Sequence, residues 1–209
     1  MKTVLRLFVA LSIAACLAVP AFALKPGERV SNFTLLDDAG KPHELYSLSN
    51  RTAVVLMVQG NGCPIARQAI PALRDVRDHV KSVKGGNVEF LLINSNLQDK
   101  RDTIAAESAE FAFALPVLVD STQKIGEALG VNRTAEVFVI TTKDWKLAYR
   151  GPVDDRISYE KQRPAAQHTY LKDALTAVLA GVAVKQPMVD SPGCIVNMPE
   201  RDRRKAYSR

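Results

Sequence analysis

The 209-residue chain is poor in the residues that usually announce a reaction. It has three cysteines and three histidines. The histidines, His43, His79 and His168, are far apart and share no ligand spacing, so a histidine-based metal centre has no support. No stretch combines a basic face with interleaved aromatics, which argues against nucleic acid as a partner. Internal repeats and low-complexity tracts are absent, so arrays and disordered scaffolds are excluded. The one long apolar run, LFVALSIAACLAV, lies at the N-terminus and is soon followed by KPGERV. It is too short for a convincing membrane span.

That run sits between a basic start, MKTVLR, and an A-x-A pattern at Ala21-Phe22-Ala23. This is the layout of a secretory signal peptide covering residues 1–23, and it places the mature chain in a periplasmic or other extracytoplasmic compartment. Ile13-Ala14-Ala15-Cys16 also fits a lipoprotein processing box, and a lipidated Cys16 would be the one route to a membrane. Apolar residues continue past Cys16, which favours simple cleavage after Ala23. Removing Lys2 and Arg6 with the leader lowers the net charge from +6 to +4. The tail Pro199–Arg209 carries +3 of that, so the body is almost neutral and the tail reads as a solvated, disordered end.

The remaining residues suit one domain, 24–183, followed by a tail, 184–209. AVVLMV (Ala53 to Val58) and VEFLLI (Val88 to Ile93) are continuous apolar runs, as in strands buried on both faces. Between them Ile65, Ala69, Ala72, Leu73, Val76 and Val80 recur at helical spacing. Further helices are expected over Asp99–Phe113, Thr122–Leu129 and Thr169–Ala180. Strands are expected over Leu115–Val119, Val137–Thr141 and Lys146–Arg150. Residues 32–45 read as two short strands around the turn Asp37–Gly40. The class is α/β, with a central mixed sheet flanked by helices and an N-terminal β-hairpin extension.

Within QGNGCPIARQAIPAL, Cys63 follows the first buried strand through a short polar loop. That puts it at the C-terminal edge of the sheet, where open α/β folds build sites. Pro64 suits the first helical turn. A cysteine at a helix N-terminus has free N–H groups and the helix dipole beside it, and both favour the thiolate. The alternative is an inert, buried cysteine that packs as a small hydrophobe. With Cys16 removed, Cys194 is the other cysteine of the mature chain. An even pair in an exported protein reads as a disulfide, permanent or catalytic.

CPIARQAIPAL resembles the active-site helix of thioredoxin-fold proteins, with Pro71 at the position of their helix-kinking proline. Arg133-Thr134-Ala135-Glu136-Val137-Phe138-Val139, Tyr149 to Arg156 (YRGPVDDR) and Ser191-Pro192-Gly193-Cys194-Ile195 extend the likeness. Together they resemble the exported peroxiredoxin-like, or redoxin (AhpC/TSA-related), branch of the thioredoxin superfamily over roughly residues 25–196. The resemblance implies a thioredoxin-like fold and a cofactor-free thiol oxidoreductase or weak thiol peroxidase with Cys63 as nucleophile. Its substrates would be a thiol or disulfide protein or a small peroxide, and an external thiol would return it to the reduced state. Gly62, Pro64, Thr134 and Ala135 would line the substrate groove. Three departures count against catalysis. Ala66 stands at the second cysteine of C-x-x-C and Ala135 at the cis-proline. Leu56 and Gly60 stand where peroxiredoxins keep proline and threonine. Cys194 is then either a distant resolving cysteine or half of a permanent Cys63–Cys194 staple. In the second case the chain is a non-catalytic binding or scaffold protein. Asp154 and Asp155 read as turn-capping residues rather than a catalytic pair.

Overall fold

A computed structural model describes residues 23–207 apart from 84, 159 and 160. The signal-peptide reading of the leader, with Cys16, falls almost wholly outside the described residues. β3 (Ala53–Gln59) is buried at every position because the sheet is covered on both sides. Ala53, Val55 and Met57 face one apolar cluster, while Val54, Leu56 and Val58 face another. Strand side chains alternate between faces, so a strand with two buried faces shows no polar alternation in sequence.

Two short strands, β1 (Thr34–Leu36) and β2 (Pro42–Glu44), form the expected antiparallel hairpin ahead of β3. Its turn is held by Asp37, whose carboxylate accepts from the Lys41 N–H at 2.8 Å and pairs with His43 at 2.7 Å. The rest of the chain runs α1 (Pro64–Ser82), β4 (Val88–Asn94), α2 (Arg101–Glu110), β5 (Val117–Val119), α3 (Lys124–Leu129), β6 (Val137–Thr141), β7 (Leu147–Gly151) and α4 (Tyr170–Leu179). The central sheet has the order β5-β4-β3-β6-β7. Its β3–β4 and β4–β5 pairs are parallel, and its β3–β6 and β6–β7 pairs are antiparallel. Helices α1, α2 and α4 close one face through Leu73, Ile104 and Leu171. Helix α2 is shorter than its periodic pattern. Ala112 and Ala114 take left-handed φ values that end it, and Asp99 stays outside it to bind the Cys63 loop.

The tail departs from expectation. Residues 199–207, expected as a disordered end, form a further helix, α5 (Pro199–Tyr207), and the segment just before it is anchored. Val196 is 1 % exposed and Met198 fully buried in the second cluster, and Arg201 donates to the Val131 carbonyl at 2.6 Å. Charge composition signalled a free end, yet two apolar residues just upstream suffice to bind it to the body. Burying side chains of this size contributes about 1.5–3 kcal/mol each.

The motif residues Glu136 and Arg150 explain each other. One Glu136 oxygen accepts from Arg150 Nε and Nη2 at 2.9 and 2.6 Å, and Arg150 also donates to the carbonyls of Leu24, Leu129 and Gly130. Asp155 likewise serves structure, accepting from the backbone N–H groups of Gln167 and His168. Asp154 pairs with Arg156.

Candidate functional site

The loop after β3 brings Cys63 to the N-cap of α1, with Pro64 at the first helical position. Two buried acids from the next βα unit fix the loop. Asp99 accepts from the Asn61 N–H at 2.9 Å, and Glu107 accepts from the Gly62 N–H at 2.8 Å. Asp99 is itself held by the amides of Asn94 and Asn96. Gly62 has φ +75°, a left-handed conformation that glycine adopts without steric cost. The second oxygen of Glu107 accepts from Arg67 Nε at 3.0 Å, and the Arg67 guanidinium lies 3.9 Å from the Phe111 ring centroid. Cys63 and Arg67 are one helical turn apart and share a helix face.

All six residues expected to form the site, Gly62, Cys63, Pro64, Thr134, Ala135 and Cys194, come together. Cys63 is 3 % exposed although Gly62 and Pro64 on either side are exposed. The Cys63 sulfur lies 2.9 Å from the Thr134 hydroxyl, which accepts the Cys194 N–H, also at 2.9 Å. An ionised Cys63 can only accept, so at this distance the hydroxyl hydrogen then points at the sulfur, the geometry that stabilises a thiolate. The Thr134 N–H in turn donates to the Cys194 carbonyl at 2.9 Å. Ala135 is buried with φ +60°, no peptide among the described residues is cis, and the Ala135 N–H donates to the Val58 carbonyl. Beside it Ile65, Val153 and Pro192 line a small apolar crevice. Ala66, where a second cysteine would stand, is buried in the body.

Both cysteines are free thiols, Cys63 buried and Cys194 exposed. Burial pushes the Cys63 thiol up, but hydrogen bonds from the Cys194 thiol, the Thr134 hydroxyl and the Ala66 N–H outweigh it and hold the thiol below its ordinary range. Cys194 is raised, by burial first and then by the hydrogen bond its thiol donates to Cys63. The pair therefore has a direction, with Cys63 the more acidic thiol and Cys194 the hydrogen-bond donor. Among the described residues no cluster of three or more His, Cys, Asp or Glu side chains could hold a metal.

Asp99, Glu107 and Arg67 escape sequence reasoning because they are distant or unremarkable charged residues. The one available signal was the rarity of buried acids, which are seldom left without partners. Gly193 was legible only as part of a turn. Here a Cβ at 193 would lie 2.0 Å from the Thr134 carbonyl oxygen, so only glycine lets the tail approach. Thr134→Val, which keeps the shape and deletes the hydroxyl, is expected to raise the Cys63 pKa. Its alkylation by iodoacetamide at neutral pH then slows, with the inflection of rate against pH moved upward. Thr134→Ser restores the wild-type profile. An unchanged profile in Thr134→Val would show that the hydroxyl does not stabilise the thiolate.

A comparison with the curated proteins finds no match. Among solved structures the fold resembles a hypothetical protein from Sinorhizobium meliloti, 24% identical with a TM-score of 0.72, over 84% of this chain and 95% of that one. It is similar to an uncharacterized conserved protein from Geobacillus kaustophilus, 25% identical with a TM-score of 0.72, over 84% and 93%. A peroxidoxin from Mycobacterium tuberculosis shares the fold at 23% identity and a TM-score of 0.54, over 75% and 95%. The sequence profile of the AhpC/TSA family matches residues 26–151, a span that holds β1 to β7, Cys63 and Thr134. By its sequence, its thioredoxin-like sheet and the place of its cysteine at the head of α1, the chain belongs to the AhpC/TSA family of the thioredoxin superfamily.

Proposed function

We propose that the protein is an exported thiol oxidoreductase in which Cys63 is the nucleophile and Cys194 the resolving cysteine. The observation that carries this reading is the Thr134 bridge, one hydroxyl joined to the Cys63 sulfur and to the Cys194 N–H. With a peroxide, the Cys63 thiolate attacks one oxygen, the O–O bond breaks, and the leaving alkoxide or hydroxide takes a proton. Cys63 becomes a sulfenic acid. The Cys194 sulfur then forms the S–S bond, and water leaves with the sulfenic oxygen. With a disulfide substrate, Cys63 forms a mixed disulfide and Cys194 displaces the substrate thiolate. Either route oxidises both cysteines and reduces the substrate by two electrons, so an external thiol must return the pair. Sulfur does the chemistry and no cofactor is called for.

The second reading, a scaffold with a permanent Cys63–Cys194 staple, draws on the burial of Cys63 and on Ala66. Brief treatment of the reduced mature chain with hydrogen peroxide separates the two. The expected result is loss of both free thiols through one intramolecular disulfide, reversed by dithiothreitol without denaturant. A bond that native protein refuses to give up to dithiothreitol would establish the staple. Oxidation of Cys63 to sulfinic acid with Cys194 still free would remove the resolving role.

A further inference from the structure

A cavity of about 350 Å³ lies at the opposite pole of the sheet from Cys63. It sits between the last turns of α1, the starts of β3 and β4, and the segment leading into β5. Cys63 follows the other end of β3, so the strand's seven residues separate the two places, about 20 Å at the rise of a strand. Arg51, Arg77 and Lys81 line the cavity against one acid, Glu89. Among the described residues that is a surplus of two positive charges. Leu115 and Pro116 supply an apolar wall.

The cations are set in place from both sides of the cavity. Arg74, Arg77 and Lys81 follow one another at spacings of three and four along α1 and so share a helix face. Arg74 and Arg77 donate to the carbonyls of Ala112 and Ala114 at 2.7 and 3.0 Å. Those alanines have φ +47° and +54°, an unfavourable conformation that persists where the surroundings dictate it. From the sheet side, Arg51 donates to Asn87 Oδ1 at 2.7 Å and pairs with Glu89 at 2.8 Å. Its Nε is nevertheless buried with no hydrogen-bond partner. Asp78 takes the Nε of Arg77. The negative end of the α1 dipole accounts for Lys81, but not for Arg51 ahead of β3, nor for the reach of Arg77 across to Ala114.

We infer that this cavity binds a small organic dianion, a phosphate monoester or a dicarboxylate. Its charged groups meet Lys81, Arg77 and Arg51, and its carbon body lies against Leu115 and Pro116. Two negative charges match the surplus, and the guanidinium fork fits carboxylate and phosphate oxygens alike. The site is distinct from the redox centre, and the inference stands without the cysteine chemistry.

The test is a titration of the full mature chain, followed by backbone amide chemical shifts at low ionic strength, where charge pairing is least screened. Glycerol phosphate and succinate are the two dianion probes, with acetate and glycerol as controls. Saturable shifts at Lys81, Gly86 and Asn87 are expected with at least one dianion, at a dissociation constant of roughly 1 mM or tighter. Whichever dianion binds names the headgroup. Lys81→Glu should weaken that binding by roughly tenfold or more. Lys172→Glu, the same charge change on an exposed residue of α4, should leave it unaltered. No saturable shift with either dianion up to about 20 mM overturns the site. Acetate binding as tightly as the dianions, or an equal loss in Lys172→Glu, overturns it too.

Discussion

Cys63→Ser is expected to lower hydrogen peroxide or disulfide turnover by roughly a thousandfold or more, with little change in the thermal unfolding midpoint. The serine oxygen occupies nearly the same volume and keeps the hydrogen bond to Thr134, so packing at the N-cap is retained. What it loses is acidity. The features that favour the Cys63 thiolate, namely the Cys194 thiol, the Thr134 hydroxyl and the Ala66 N–H, cannot ionise an alcohol near neutral pH. Cys194→Ser provides the contrast. It should accept one equivalent of oxidant at Cys63 and then stall, because no second sulfur is at hand to expel the sulfenic oxygen. Peroxide consumption in the presence of dithiothreitol reads Cys63→Ser, and peroxide consumed per chain by pre-reduced protein without added thiol reads the stall of Cys194→Ser. If Cys63→Ser keeps wild-type turnover, the activity lies elsewhere in the molecule.

Gly193→Ala carries the second large effect. The added Cβ would stand 2.0 Å from the Thr134 carbonyl oxygen and 2.9 Å from its carbon. Both are backbone atoms that hold the 132–134 segment in place, so neither can swing aside. The tail strand must back away instead, taking the Cys194 N–H from Thr134 and its thiol from Cys63. Misplacing a reacting group by about an ångström costs on the order of a hundredfold in rate. Disulfide formation after peroxide treatment, followed by quenched alkylation, should slow by that order. Overpacking of this kind costs about 1–3 kcal/mol, to be read in urea unfolding. Disulfide formation at the wild-type rate in Gly193→Ala would mean that the tail can reach Cys63 without this close approach.

The fold was largely readable because its signals are local. A continuous apolar run marks a doubly covered strand, and β3 is one. Helical spacing from Ile65 to Val80 marks α1, and glycine after Leu129 marks the end of α3, where Gly130 has φ +71°. The tail was misread for an equally physical reason. Its composition is dominated by exposed charge, while its anchoring depends on Val196 and Met198 meeting a cluster assembled from distant strands. No local pattern records such an encounter.

The departures at positions 60, 66 and 135 are reinterpreted by packing. Position 60 has no room for a side chain, since a Cβ there would lie 2.6 Å from Asn96 Nδ2 and 2.8 Å from Thr134 Cγ2. The hydroxyl that reaches Cys63 comes instead from Thr134 in the turn that precedes β6. Ala66 is buried and contributes its N–H, while the second thiol arrives from the tail. Ala135 keeps a hydrogen bond to Val58 with a left-handed φ, a conformation that costs a non-glycine residue about 1–3 kcal/mol.

The sequence by itself determined the class of fold, the position of Cys63 at a helix start after a buried strand, and the identities of the residues that could meet it. These follow from periodicity, capping and turn chemistry, which act over a few residues. Only the tertiary structure decided that Cys194 reaches Cys63, that Thr134 joins them, and that Asp99 and Glu107 hold the loop. Those contacts join residues 38 to 71 positions apart or, for the two thiols, farther still. They exist because an isolated antiparallel bridge from Arg133 to Ile195, a close-approach glycine and two buried side chains bring the tail back beside Cys63.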